Sequence, residues 1–122
     1  MAATFRFYQL SVWKKAIEYA DAIYDVTANF PSAERFGLTS QLCRAAVSIS
    51  SNIAEGSSRS SSRDFVRFIE IAYGSIMETV SQLCVSQRRG YVTGEQFEVL
   101  TTAADELARM LSGLKKNVTS KK

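Results

Sequence analysis

Residues 41–56 of this chain, QLCRAAVSISSNIAEG, decide its fold. Apolar residues recur there every three or four positions, which is the period of an amphipathic α-helix, and they form a stripe roughly 100° wide. Polar residues follow at the same spacing along one flank of the stripe. We predict a helix over about residues 39–55, closed by Gly56 in a left-handed conformation. The apolar stripe comprises Leu42, Ala45, Ala46, Ile49 and Ile53.

Three further segments share the helical period, and turn residues separate them. We predict helices over about residues 11–30, 61–89 and 93–115, with Pro31 ending the first. No segment shows the alternation typical of a strand. Because the connections are short, we predict an all-α chain, one domain folded as an antiparallel up-down-up-down four-helix bundle. Residues 116–122 are polar and basic, and we expect a flexible tail there.

The helical pattern also predicts caps and buried faces. Ser61 and Thr93 stand three residues before an Asp and a Gln, which is the spacing of a capping box. Ile71 and Val85 project away from the apolar face of the third helix, which favours burial against another subunit. The residues expected to face inward on the first helix are Trp13, Ala16, Ile17, Ala20, Ile23, Tyr24 and Thr27.

Composition excludes several classes of enzyme. The 122 residues include no His, so Ser-His-Asp triads, Cys-His pairs and His-containing zinc or di-iron sites are excluded. A chain of this length can bury a core without a metal or a disulfide, and no cofactor is expected. The net charge of +3 is compatible with a polyanionic partner.

The expected location is the cytoplasm. The opening residues MAATFRFYQL lack the basic and apolar regions of a signal peptide, and no apolar segment is long enough to span a membrane. The two cysteines, Cys43 and Cys84, do not form a C-x-x-C pair, which favours packed thiols in a reducing compartment. We therefore expect no membrane partner.

The polar flank of the second helix is the most distinctive candidate site. Gln41, Arg44, Ser48, Asn52 and Glu55 recur along it. One interpretation is a surface that binds a partner, with Arg and Asn as donors and Glu as an orienting acceptor. The alternative is structural: these side chains hydrogen-bond to a neighbouring helix or subunit.

The third helix adds a second group of candidates. Arg59 and Arg63 flank its start, where free amide groups and the helix dipole favour an anion such as phosphate, and Arg67 follows one turn later. The alternative is a solvated serine-rich turn whose arginines face water. Gly74 costs about 1 kcal/mol relative to Ala inside a helix, so a closely approaching backbone or ligand is expected there.

Carboxylates suggest a weaker possibility, a metal site. Glu55, Glu70 and Glu78 lie on the two central helices, but di-metal bundles use Glu-x-x-His pairs, and this chain has no His. The acidic residues of the first helix lie opposite its apolar face. A carboxylate-dependent metal enzyme is therefore the least favoured interpretation.

Residues 41–56 resemble the Q-L-x-R-A-x-x-S-I and N-I-A-E-G signature of a bacterial four-helix-bundle family, which includes proteins encoded in intervening sequences of 23S ribosomal RNA. The similarity covers about residues 5–115. It includes Leu10-x-Val12-Trp13 and Phe30-Pro31, then Glu34-x-Phe36-Gly37-Leu38, and continues through Arg59, Ser61, Asp64-Phe65, Phe68, Ile71-Ala72, Gly74-Ser75 and Glu78.

This resemblance implies a ring-like homopentamer without established enzymatic activity. One branch of the family, the accessory variability proteins of diversity-generating retroelements, binds nucleic acid through a basic surface and partners a reverse transcriptase. This chain is less basic than those proteins, although five copies would together carry about +15. Residues at motif positions are Arg44, Asn52, Glu55, Arg59, Ser75 and Glu78.

We predict a non-catalytic, oligomeric bundle that binds RNA or DNA, or a nucleoprotein, through a basic and polar surface. The alternative is a protein–protein interaction module, for which a reverse transcriptase or another protein would be the partner. Few aromatic residues accompany the arginines in the pattern, so base stacking is not predicted. The predicted partner-binding residues are Arg44, Ser48, Asn52, Glu55, Arg59, Arg63, Arg67, Ser75 and Glu78.

Overall fold

The computed structural model describes residues 2–120 and is a four-helix bundle. No strand occurs in this part of the chain. The all-α prediction is therefore confirmed. The α-helices are α1 (Ser11–Thr27), α2 (Leu38–Ser57), α3 (Ser62–Arg88) and α4 (Gly94–Ser120), and short 3-10 helices occur at Arg6–Gln9 and Ser32–Glu34.

Two helix ends differ from the prediction because tertiary packing sets them. α1 ends at Thr27 rather than near residue 30, and the turn that follows buries Phe30, whose ring centroid lies 5.3 Å from that of Tyr91. α4 continues to Ser120 because Val118 is buried against the core. The expectation of a flexible tail was thus wrong for residues 116–120, and its last two residues lie outside the described part.

The predicted caps agree with the observed hydrogen bonds. Ser61 Oγ accepts from the amide of Asp64 at 3.1 Å. Thr93 and Gln96 form a reciprocal capping box, in which each side chain accepts from the other residue's amide, at distances of 2.9 and 3.0 Å. These caps satisfy amides at the starts of α3 and α4 that have no partner within the helix.

The buried face of α1 is rotated relative to the prediction. Ile17 and Tyr24 are exposed, whereas Tyr19 is buried. Val12 and Val26 are buried on the same face as Tyr19, and a hydrogen bond of 2.8 Å between the hydroxyls of Tyr19 and Thr79 joins α1 to α3 across the core. Thr79 donates its own proton to a backbone carbonyl of α3, so Tyr19 is the donor in this pair. All five predicted core residues of α2 are buried.

The two connections at one end of the bundle are fastened to each other. The Tyr91 hydroxyl donates to Glu34 Oε2 at 3.0 Å, which joins the α1–α2 connection to the α3–α4 connection. The guanidinium of Arg89 lies 5.9 Å from the Tyr91 ring centroid. Gly90, with φ of 80°, completes the end of α3 in the left-handed region that favours glycine.

At Gly56, the backbone of α2 lies directly against side chains of α3. A Cβ atom there would lie 2.7 Å from Phe68 Cβ and 3.0 Å from a ring atom of Phe65. Gly56 lies within α2 and does not have a positive φ, so the prediction of a left-handed cap was wrong. Its role is to let the two helices touch. Gly74, in contrast, faces open space within the described residues.

We expect Gly56→Ala to lower the free energy of unfolding by about 1–3 kcal/mol, because the added methyl group must push Phe68 away. Gly113→Ala in α4 is the matched control: nothing lies within 4 Å of the added methyl group, and the substitution should raise stability by up to about 1 kcal/mol. Urea unfolding followed by circular dichroism measures both. Equal effects of the two substitutions would contradict the close approach.

The buried phenol of Tyr19 makes stability depend on alkaline pH. Burial raises the pKa of Tyr19 above its ordinary value. The phenol therefore contributes stability that is complete below about pH 10, and that is lost as pH rises through the raised pKa, because the unfolded chain ionises first.

Tyr19→Phe should therefore be less stable than the natural protein by about 1 kcal/mol at pH 7, because Thr79 loses its donor. Above about pH 10 the difference should shrink, since the variant has no phenol to ionise at this position. Urea unfolding at pH 7 to 11 tests this. Parallel pH profiles for the two proteins would count against it.

Candidate functional site

The middle of the predicted polar flank is engaged within the subunit. Ser48 Oγ on α2 and Ser75 Oγ on α3 lie 2.9 Å apart. Asn52 Nδ2 donates to the Ser48 carbonyl at 2.8 Å and to Ser48 Oγ at 3.0 Å. Ser75 is only 8% exposed. These three side chains join α2 to α3, so little of their hydrogen-bonding capacity remains for another molecule.

The Glu55 end of the flank is more open, and so is Glu78 on α3. Glu55 Oε2 accepts from Arg59 at 2.9 Å, and the Arg59 guanidinium also lies 4.8 Å from the Phe68 ring centroid. Both charged side chains remain exposed. Glu78 Oε2 accepts from Gln82 Nε2 at 3.3 Å on the surface of α3.

Three predicted arginines have no such partner. Arg44, Arg63 and Arg67 are exposed, and none of them forms a salt bridge with a residue between 2 and 120. Unpaired exposed guanidinium groups retain their full set of donors, so they are suited to contacts with phosphate or carboxylate groups. The structure therefore divides the predicted residues into an internally bonded middle and free cations.

Arg6 adds a cation that the sequence analysis missed. The 3-10 helix Arg6–Gln9 brings this side chain across to the α2–α3 turn, where its Nη1 donates to the Ser57 carbonyl at 2.8 Å. No periodic pattern signals such a contact, because it depends on where residues 51 positions apart meet. Its only sequence signal is an arginine set among aromatic residues.

Arg6 and Arg59 line a cavity of about 220 Å³ between the first turn of the chain, the α2–α3 turn and the end of α4, which we call the basic cleft. Neutral polar residues and apolar residues complete its wall. Asp64 is exposed one turn further along α3. Residues lining the basic cleft are Arg6, Leu10, Arg59, Ser60, Ser61, Ser62, Phe65, Leu114, Asn117 and Val118.

An aromatic cluster, consisting of Phe5, Phe7, Tyr8 and Trp13, adjoins Arg6. The Phe7 and Trp13 ring centroids are 4.9 Å apart, and the Phe5 and Tyr8 centroids are 5.5 Å apart. Phe5 is 54% exposed and Tyr8 41% exposed. Residues 5–8 fold back beside α1 and place exposed rings next to Arg6 in the chain, which is not one of the arginines considered in the sequence analysis.

The described residues also bear on two other features, a metal site and a membrane-spanning helix. Between residues 2 and 120, no three His, Cys, Asp or Glu side chains come together as metal ligands. The carboxylates of α1 are exposed, as the periodicity predicted. No helix in the same part of the chain is long and apolar enough to cross a membrane.

Most of the chain, including the predicted site residues, matches a known protein family. The sequence model of the family described as 23S rRNA-intervening sequence protein matches residues 8–113, which include α1, α2 and α3 and most of α4. The chain belongs to this family. The matched segment contains every predicted site residue from Arg44 to Glu78, whereas Arg6 and Asn117 lie outside it.

A solved structure supports the fold of this 23S rRNA-intervening sequence family member. It is the crystal structure of a protein of unknown function from the S23 ribosomal protein family of Bacteroides thetaiotaomicron, with 30% sequence identity and a TM-score of 0.77. The similarity covers 86% of this chain and 98% of that one. No curated protein matches the chain.

Substitutions on the flank should separate its two parts. Asn52→Ala removes two hydrogen bonds and should lower the free energy of unfolding by about 1–2 kcal/mol. Arg44→Ala, on the same face of α2, should change it by less than about 0.5 kcal/mol, because the side chain is exposed and unpaired. Denaturant unfolding provides both values. A larger loss for Arg44→Ala than for Asn52→Ala would disprove this division.

Proposed function

We propose that this protein is a non-catalytic, homo-oligomeric scaffold that binds RNA, or an RNA–protein particle, through exposed arginines of α2 and α3. The observation that carries the proposal is the set of free guanidinium groups on Arg44, Arg63 and Arg67. Exposed arginines contact phosphate groups without reading sequence, and they give an affinity that falls with salt. The name of the family is consistent with a connection to ribosomal RNA.

The proposal includes an antiparallel order of neighbouring helices. Its support is that residues near the end of one helix contact residues near the start of a neighbouring helix. Gly56, near the end of α2, meets Phe65 and Phe68 near the start of α3. Lys115, late in α4, donates to Glu70, early in α3, at 2.9 Å. The cations of α4 and α3 thereby share one end of the bundle.

A ring of five subunits is the second part of the proposal, and it rests on the family resemblance. Exposed apolar side chains on α2 and α3 support an additional interface: Val47 is 40% exposed, Ile71 41% and Val85 49%. Gly74 leaves open space beside Ile71, where a second backbone could approach. Assembly would place several sets of arginines in one particle, which strengthens binding to a polyanion.

A protein-interaction module is the second candidate. The observation favouring it is the same exposed Ile71 and Val85, because apolar side chains on an outer helix face can dock another polypeptide. Such binding would survive nuclease treatment and high salt, whereas contacts to phosphate would not.

We expect a structured RNA to bind at 50 mM salt and to lose roughly 10- to 100-fold in affinity at 200 mM, as about three phosphate contacts require. Arg63→Gln with Arg67→Gln should reduce the slope of log affinity against log salt by roughly 1.4 to 1.8. Fluorescence anisotropy of labelled RNA measures both quantities. Sedimentation velocity provides the oligomeric state in the same buffers.

The matched control is Arg35→Gln with Arg88→Gln, which removes the same charge at the opposite end of the bundle, where Glu34 and Tyr91 are joined. This control should bind RNA nearly as well as the natural protein. Absence of binding at low salt, or tight binding that salt does not weaken, would refute the electrostatic proposal.

A further inference from the structure

We propose that the end of the bundle formed by the aromatic cluster and the basic cleft binds unpaired nucleotides, stacking bases on Phe5 and Tyr8 while Arg6 and Arg59 contact the phosphates. This inference rests on the proposed function, since it names the form of nucleic acid that the protein prefers. It adds a binding surface that lies outside the predicted flank of α2.

Two rings of the aromatic cluster, Phe5 and Tyr8, are exposed to solvent, and the other two rings pack against them. Phe7 and Trp13 are half-buried, and Tyr8 lies 5.2 Å from Phe7 and 5.6 Å from Trp13 between ring centroids. Phe5 meets Tyr8 edge-on, with an angle of 84° between the rings. Exposed rings supported in this way provide flat faces on which bases stack, largely independently of sequence.

Arg6 connects these rings to the basic cleft. It lies between Phe5 and Phe7 in the chain, and its side chain reaches the opposite side, where Ser57 accepts its hydrogen bond. Its guanidinium also lies 5.8 Å from the Phe65 ring centroid. A guanidinium fixed by one carbonyl retains other N–H groups for a phosphate. Because Arg6 follows Phe5 directly in the chain, the exposed rings and one phosphate donor belong to the same short segment.

This combination distinguishes unpaired strands from duplexes. In a duplex the bases are stacked on each other, so aromatic side chains cannot reach their faces. A surface that used charge alone would bind duplex RNA at least as well, because a duplex has the higher density of phosphates. A preference for unpaired nucleotides is therefore the property that the aromatic cluster adds.

The charge of the end of the bundle that holds the basic cleft indicates which kind of partner covers it. Arg6 and Arg59 line the basic cleft, and Arg63 lines the adjoining cavity together with the last turn of α4. A second copy docking here by the same surface would bring an equal concentration of positive charge. An anionic strand is complementary to this surface, whereas a copy docked by the same surface is not.

The single tryptophan allows a direct test, since Trp13 belongs to the aromatic cluster. We expect a 20-nucleotide unstructured RNA, and the DNA strand of the same sequence, to quench Trp13 fluorescence. The affinity for both strands should be about tenfold or more higher than that for a hairpin of equal length at the same salt concentration. The DNA strand shows whether the 2′-hydroxyl contributes.

Phe5→Ala with Tyr8→Ala should weaken binding of the unpaired strand about tenfold or more, and binding of the hairpin less than about twofold. Phe36→Ala is the matched control, because Phe36 is an 88% exposed ring beside an arginine in the α1–α2 connection. This control should bind both ligands normally. If the double alanine variant unfolds, Phe5→Leu with Tyr8→Leu retains apolar bulk and removes the aromatic faces.

Several results would overturn this inference. They are an equal or greater affinity for the hairpin, an unchanged affinity of the aromatic variants, or an equal loss for both ligands. Salt-dependent hairpin binding without a preference for the unpaired strand would refute only the stacking site and leave the proposed function intact. Failure of every nucleic acid to bind would refute both.

Discussion

The contact between Gly56 and the two phenylalanines of α3 is the constraint on which the candidate site depends. Because glycine has no side chain, α2 can lie directly against Phe68 and Phe65 just before the chain turns. The turn is consequently tight, and it holds Arg59 and the serine run beside the first residues of the chain. A larger residue at position 56 would separate the helices where the basic cleft forms.

The same helix pair explains why the polar flank serves two purposes. Where α2 and α3 lie close together, Ser48, Asn52 and Ser75 satisfy one another and fix the relative positions of the helices. Arg44 and Arg67 lie further out on the surface, where they have no partner among the described residues. One surface therefore combines a structural seam with free cations.

Local periodicity predicted the features that depend on neighbouring residues alone. The apolar stripe of α2 and the caps at Ser61 and Thr93 follow from spacing, and the structure contains both. Features set by distant contacts could not be predicted in this way. The hydrogen bond from Tyr19 to Thr79 and the one from Arg6 to Ser57 are two such contacts. Both depend on residues more than fifty positions apart in the chain.

The hydrogen bond from Tyr91 to Glu34 helps to hold one end of the bundle more firmly than the other. That end is closed by a hydrogen bond, a ring contact with Phe30 and the cation of Arg89. At the other end, the described N-terminal segment is tied to the α2–α3 turn by the bond from Arg6 to Ser57. Brief local opening should therefore begin with this segment, which can detach and return while the four helices stay assembled.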